Sequence, residues 1–128
     1  MHMEFPQDKF KPKKDRYAKS RGGPSKFLYI ACGNCEEPAM VYQKDGPGRL
    51  LRCYADRIVW PPELVEERAE LTAATVKEVG SLACAACANV LANPMVYEPE
   101  NRAAYRIIPG SIHAYRSPEQ AEARSQEQ

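Results

Sequence analysis

Long apolar runs are missing from this chain, and none approaches the ~20 residues that a membrane-spanning helix requires. The Lys-rich N-terminus also lacks the apolar core of a secretory signal, so the cytoplasm is the expected compartment. Histidine is scarce, with two residues, and neither sits beside a nucleophile or an acid–base partner. The Gly46-Pro47-Gly48 stretch is not followed by Lys-Ser/Thr, so it reads as a turn and not as a phosphate loop. Together these absences argue against a membrane protein, a secreted protein and an enzyme.

What the chain does have is cysteine in pairs. Cys32-Gly33-Asn34-Cys35 and Cys84-Ala85-Ala86-Cys87 are both C-x-x-C, with 48 residues between Cys35 and Cys84. Spacing of i, i+3 lets one tight turn aim two sulfurs at a single ion. Two such turns supply the four thiolates of a closed tetrahedral Zn²⁺ site. Cytoplasmic thiols stay reduced, which favours metal over disulfide. A redox dithiol would follow a strand and open a helix in a βαβ pattern, whereas Cys32 and Cys35 precede hairpin signals. Cys53 alternates with apolar neighbours and is expected to be a buried small hydrophobe. His113 has no partner at ligand spacing and is expected at the surface.

At 128 residues there is room for one small domain with tails. Charge is unevenly placed. Residues 1–26 carry eight Lys/Arg against Glu4, Asp8 and Asp15, a net of +5, and the remainder carries −4. Three prolines, Gly22-Gly23 and no periodic apolar face predict a disordered basic arm over 1–26. Phe5, Phe10 and Tyr17 lie among the lysines, spaced to stack on bases. Lys9, Lys11, Lys13, Lys14, Arg16, Lys19 and Arg21 are therefore the candidate nucleic-acid contacts, with Arg49, Arg52, Arg102 and Arg106 as a second docking face. The bland alternative is a solvated tail.

From Lys26 the pattern is that of strands. Phe27-Leu28-Tyr29-Ile30 leads into Cys32, and Met40-Val41-Tyr42 and Leu50 to Tyr54 flank Asp45-Gly46-Pro47-Gly48, which predicts a hairpin. Pro61-Pro62-Glu63-Leu64 opens a helix of about three turns. Val76 and Val79 either extend it or begin a strand. After Cys87 the elements echo the first half: Pro94-Met95-Val96-Tyr97, a turn, then Ala103 to Ile108. Residues 27–116 thus read as a domain, and 117–128 as a polar tail that is frayed or a short helix opened by Ser117-Pro118-Glu119.

Over residues 27–108 this arrangement resembles the zinc-ribbon proteins and, at its turns, rubredoxin-like knuckles. The resemblance rests on the two C-x-x-C couples and their hairpins. It implies a small β-rich (α+β) zinc-ribbon-like fold, with two knuckle-plus-hairpin units sharing one metal and a short helix between them. In those families a glycine often follows the second cysteine; here Glu36 and Ala88 stand there. The functional expectation is a non-catalytic zinc scaffold, held by four cysteines, that presents its basic arm to RNA or a ribonucleoprotein. The alternatives are an adaptor docking a protein partner through hairpin edges and Trp60, or an iron electron carrier using the same thiolates.

Overall fold

The computed structural model describes residues 4–18 and 22–126. Among these, eight strands form two antiparallel sheets. One has the order β4 (Ile58–Trp60), β2 (Pro38–Asp45), β1 (Ser25–Cys32) and β8 (Ile112–Tyr115). The other has the order β3 (Arg52–Tyr54), β7 (Arg102–Ile107), β6 (Val90–Tyr97) and β5 (Leu82–Ala83).

Strand alternation decides which face is which. Leu28 and Ile30 of β1 and Met40 and Tyr42 of β2 point inward, where they meet Cys53, Ala92, Ala103 and Tyr105 of the second sheet in one core. Tyr29, Ala31 and Val41 alternate to the opposite face and found a second apolar cluster there. A polar bond also ties the sheets: the Tyr54 N–H donates to the Tyr42 hydroxyl at 2.7 Å. Tyr42 is completely buried, and this bond satisfies its oxygen where water cannot.

Three sequence expectations need correction. Asp45-Gly46-Pro47-Gly48 does not close a hairpin: β2 pairs with β1 and β4, while β3 pairs with β7 in the other sheet. The reason is that both edges of β2 are taken, one by β1 through the cysteine turn and the other by β4. The 46–51 stretch is left to carry the chain from one sheet to the other.

The helix α1 (Pro62–Arg68) has seven residues and not three turns. It stops where threonine hydroxyls compete with the backbone ladder. The Ala74 N–H donates to Thr72 Oγ1, and the Thr72 N–H to Thr75 Oγ1. Val76–Val79 is then a single 3-10 turn, neither more helix nor a strand. The hairpin expected in the second half is present as β6–β7, with Val96 opposite Ala103.

The third correction concerns the arm. Residues 4–18 have no regular helix or strand, yet they lie packed along the body. Phe5 is buried against Tyr29 at 5.6 Å between ring centroids and against Trp60 at 6.1 Å. Phe10 meets Phe27 at 5.7 Å. The Lys13 N–H donates to Gln43 Oε1 at 2.7 Å, and Gln43 Nε2 returns a bond to the Lys13 carbonyl. Asp15 then takes both terminal nitrogens of the buried Arg57, and Tyr17 lies 3.9 Å from the Arg102 guanidinium. Of the aromatics that read as base-stacking groups, Phe5 and Phe10 instead cover the domain's own apolar face, and Tyr17 covers Arg102. Burial of large rings offsets the ordering cost that charge and proline suggested would win.

At the other end, α2 (Pro118–Gln126) rests on β1 and β8. Its start is capped by Ser117 Oγ, which accepts the Gln120 N–H at 3.1 Å, while Gln120 Oε1 accepts the Arg116 N–H. No helix among the described residues is long and apolar enough to cross a membrane.

Candidate metal centre

Each cysteine couple sits at the tip of a hairpin, one in each sheet. The first couple links β1 to β2 and the second links β5 to β6. Their backbones follow the same rule. The Glu36 N–H donates to the Cys32 carbonyl and the Cys32 N–H to the Glu37 carbonyl, both at 2.9 Å. The Ala88 N–H donates to the Cys84 carbonyl and the Cys84 N–H to the Asn89 carbonyl, both at 2.8 Å. Glu36 and Ala88 each have φ of 66°, in the left-handed region that the knuckle turn demands and glycine ordinarily fills. Both knuckles therefore form without glycine.

The two tips bring four sulfurs together. All four lie within 4.8 Å of one another, and two contacts cross between the couples: Cys32 to Cys87 at 3.7 Å and Cys35 to Cys84 at 3.6 Å. Zn–S bonds of about 2.3 Å at tetrahedral angles place sulfurs about 3.8 Å apart. The group can therefore hold one tetrahedral ion among its four thiolates.

Polar donors surround the sulfurs. The Asn34 backbone N–H points at Cys32 Sγ (3.3 Å), its side-chain amide at Cys87 Sγ (3.5 Å), and the Asn89 amide at Cys32 Sγ (3.6 Å). Such donors spread thiolate charge and orient the ligands. Leu91, Ala39 and Ile112 close the apolar side. As free thiols Cys87, Cys35 and Cys84 are unequal. The Asn34 bond, with the Asn89 backbone, brings the exposed Cys87 down to about 6. Burial pushes Cys35 up to about 12 and also raises Cys84. A cation is what lets all four ionise together, since thiol ligands must lose their protons to bind.

The knuckle is also fitted to the loop after β7. The Gly33 N–H donates to the Ser111 carbonyl at 2.7 Å, and a Cβ on Gly33 would stand 2.5 Å from the Gly110 oxygen. Gly33, Asn34 and Asn89 were not singled out from the sequence; the Gly-Asn pair inside the first couple was the available signal. Cys53 and His113 lie where expected. Cys53 is fully buried in the core, and burial raises its thiol. His113 is partly exposed on β8 and pairs through Nδ1 with Glu36 at 2.9 Å.

The candidate nucleic-acid contacts are divided. Lys9, Lys11, Lys13, Lys14 and Arg16 are exposed on the packed N-terminal segment, while Lys19 and Arg21 lie outside the described residues. The expected arginine face does not hold together. Arg49 and Arg106 are exposed and Arg52 stacks on Tyr97 at 4.2 Å. Arg102, however, is buried between Tyr17 and Tyr54 and paired with Asp56 and Glu100, so its charge is neutralised inside the protein. Trp60, offered as an adaptor anchor, is half-buried beside Phe5.

Comparison with protein-family models, with curated proteins and with solved structures finds no match to this chain.

Proposed function

We propose that the protein is a non-catalytic scaffold whose two sheets are pinned at one end by a structural Zn²⁺ ion, and whose lysine-rich N-terminal segment contacts RNA. The observation that carries the first part is the convergence of four sulfurs from hairpins of two different sheets. One ion there joins halves of the molecule otherwise held by a small core. A set of four thiolates fills every tetrahedral position and leaves none open for substrate, so the metal's work is folding, worth on the order of 10 kcal/mol.

Metal analysis with an absorption spectrum on anaerobically purified protein tests this reading. One colourless zinc per chain is the expected result. Iron with visible charge-transfer bands would replace it with the electron-carrier reading, and a folded, metal-free protein would end both.

The RNA part rests on five exposed cations in an eight-residue stretch, Lys9 to Arg16, held in place by their neighbours. Affinity for a single-stranded RNA should fall with salt at a slope of about −0.7 per phosphate contacted. Replacing Lys9, Lys11 and Lys14 by Gln should flatten that slope. An unchanged slope would remove RNA from this segment and favour a protein partner.

A further inference from the structure

A second site lies away from the thiolates. β2 starts at the first knuckle and runs to Asp45, where the open end of the β1–β2 hairpin pairs Ser25 with Asp45. Between that end and β3, under the 46–51 loop, is a cleft of about 200 Å³. Lys44, Arg49 and Arg52 line it, with Leu50, Leu51 and Tyr54 as its apolar wall.

The charges of Arg49 and Arg52 are not balanced from within the cleft, whereas Lys44 donates to the Gly46 carbonyl at 2.9 Å. The one carboxylate on the wall, Asp45, is committed elsewhere. Its Oδ1 accepts from Ser25 Oγ and Gln43 Nε2, and its Oδ2 accepts from Arg57 Nε at 2.7 Å. Among the described residues no carboxylate pairs with Arg49, Arg52 or Arg106. Moreover Arg52 stands directly opposite Arg106 across the β3–β7 ladder, a like-charge pairing that an anion would relieve. Arg52 is held by its stacking on Tyr97, so its fork is set before any ligand arrives. Leu51, 62% exposed, sits at the rim where an apolar substituent on the anion would rest.

From these placements we infer that the cleft binds a phosphomonoester dianion, with Arg49 and Arg52 on its oxygens and Leu51 against the group the phosphate carries. Two uncompensated guanidinium groups match the two charges of a monoester, whereas a diester would leave one unmatched. This inference is independent of the metal and RNA readings.

The test uses the full metal-loaded chain, with inorganic phosphate, phenyl phosphate and dimethyl phosphate titrated by calorimetry at about pH 8, above the second phosphate ionisation. Phenyl phosphate is expected to bind saturably, and about tenfold or more tighter than dimethyl phosphate. Arg49→Gln, at an exposed position, should weaken it about tenfold with an unchanged melting temperature, and Lys77→Gln, outside the cleft, should not weaken it. Binding lost equally in Lys77→Gln would reduce the site to diffuse charge. Equal affinity for dimethyl phosphate would overturn the monoester assignment, and no saturable binding of phenyl phosphate or inorganic phosphate would overturn the site.

Discussion

Glu36 and Ala88 occupy the same place in the two knuckles. Each follows the second cysteine of its couple, each has φ of 66°, and each donates its N–H to the carbonyl of the first cysteine. A side chain in this left-handed conformation costs about 1 kcal/mol relative to glycine. Ala88 is exposed and has no side-chain task, so Ala88→Gly should stabilise the loaded protein by up to about 1 kcal/mol in urea unfolding. Glu36→Gly should gain less, because it also gives up the contact with His113. A destabilised Ala88→Gly protein would show that the turn is not strained.

Gly33 is required for a different reason. Its neighbours leave no room for a methyl group, and the obstruction is backbone, which does not swing aside. Gly33→Ala should cost about 1–3 kcal/mol and weaken metal retention in a chelator competition. Wild-type retention with an unchanged unfolding midpoint would mean that the knuckle and the Ser111 loop move apart freely.

Loss of one ligand and loss of the spare thiol should separate cleanly. Cys84→Ala should abolish stoichiometric metal and cooperative unfolding together. Cys53→Ala should keep one metal per chain and cost only about 1 kcal/mol, as expected for a small core void. A Cys53→Ala protein without metal would place Cys53 in the site after all.

The N-terminal segment should respond to acid. Hydrogen bonds from Arg57, joined by the Tyr17 N–H, hold the Asp15 carboxyl well below the usual carboxylate range. Asp45 is also lowered: burial alone would raise it, but bonds from Ser25, Arg57 and Gln43 outweigh that. A depressed carboxylate contributes stability that is fully present above its unfolded pKa, about 3.9, and is lost as pH falls toward the folded value. Asp15→Asn should therefore destabilise by about 1–3 kcal/mol near pH 7 and expose Lys9 to Arg16 to trypsin. The gap from wild type should close progressively below about pH 4. A gap that stays constant with pH would show that Arg57 does not depend on the Asp15 charge.

Spacing alone marked Cys32, Cys35, Cys84 and Cys87 as one candidate metal site, and the fold brings their four sulfurs within 4.8 Å of one another. Alternation likewise marked the long strands, the inward place of Cys53 and the β6–β7 hairpin. Local signals failed where a tertiary partner was stronger. The Gly46-Pro47-Gly48 turn has hairpin chemistry, but β2 was already paired through the cysteine turn, so the chain crossed to the other sheet. Residues 4–18 have the composition of a free tail, yet Phe5, Gln43 and Arg57 meet them across long sequence separations. Arg102 and Arg52 are the same residue type on neighbouring strands. Only the folded surroundings bury one between tyrosines and leave the other facing a cleft, because charge in a sequence carries no record of which carboxylates will reach it.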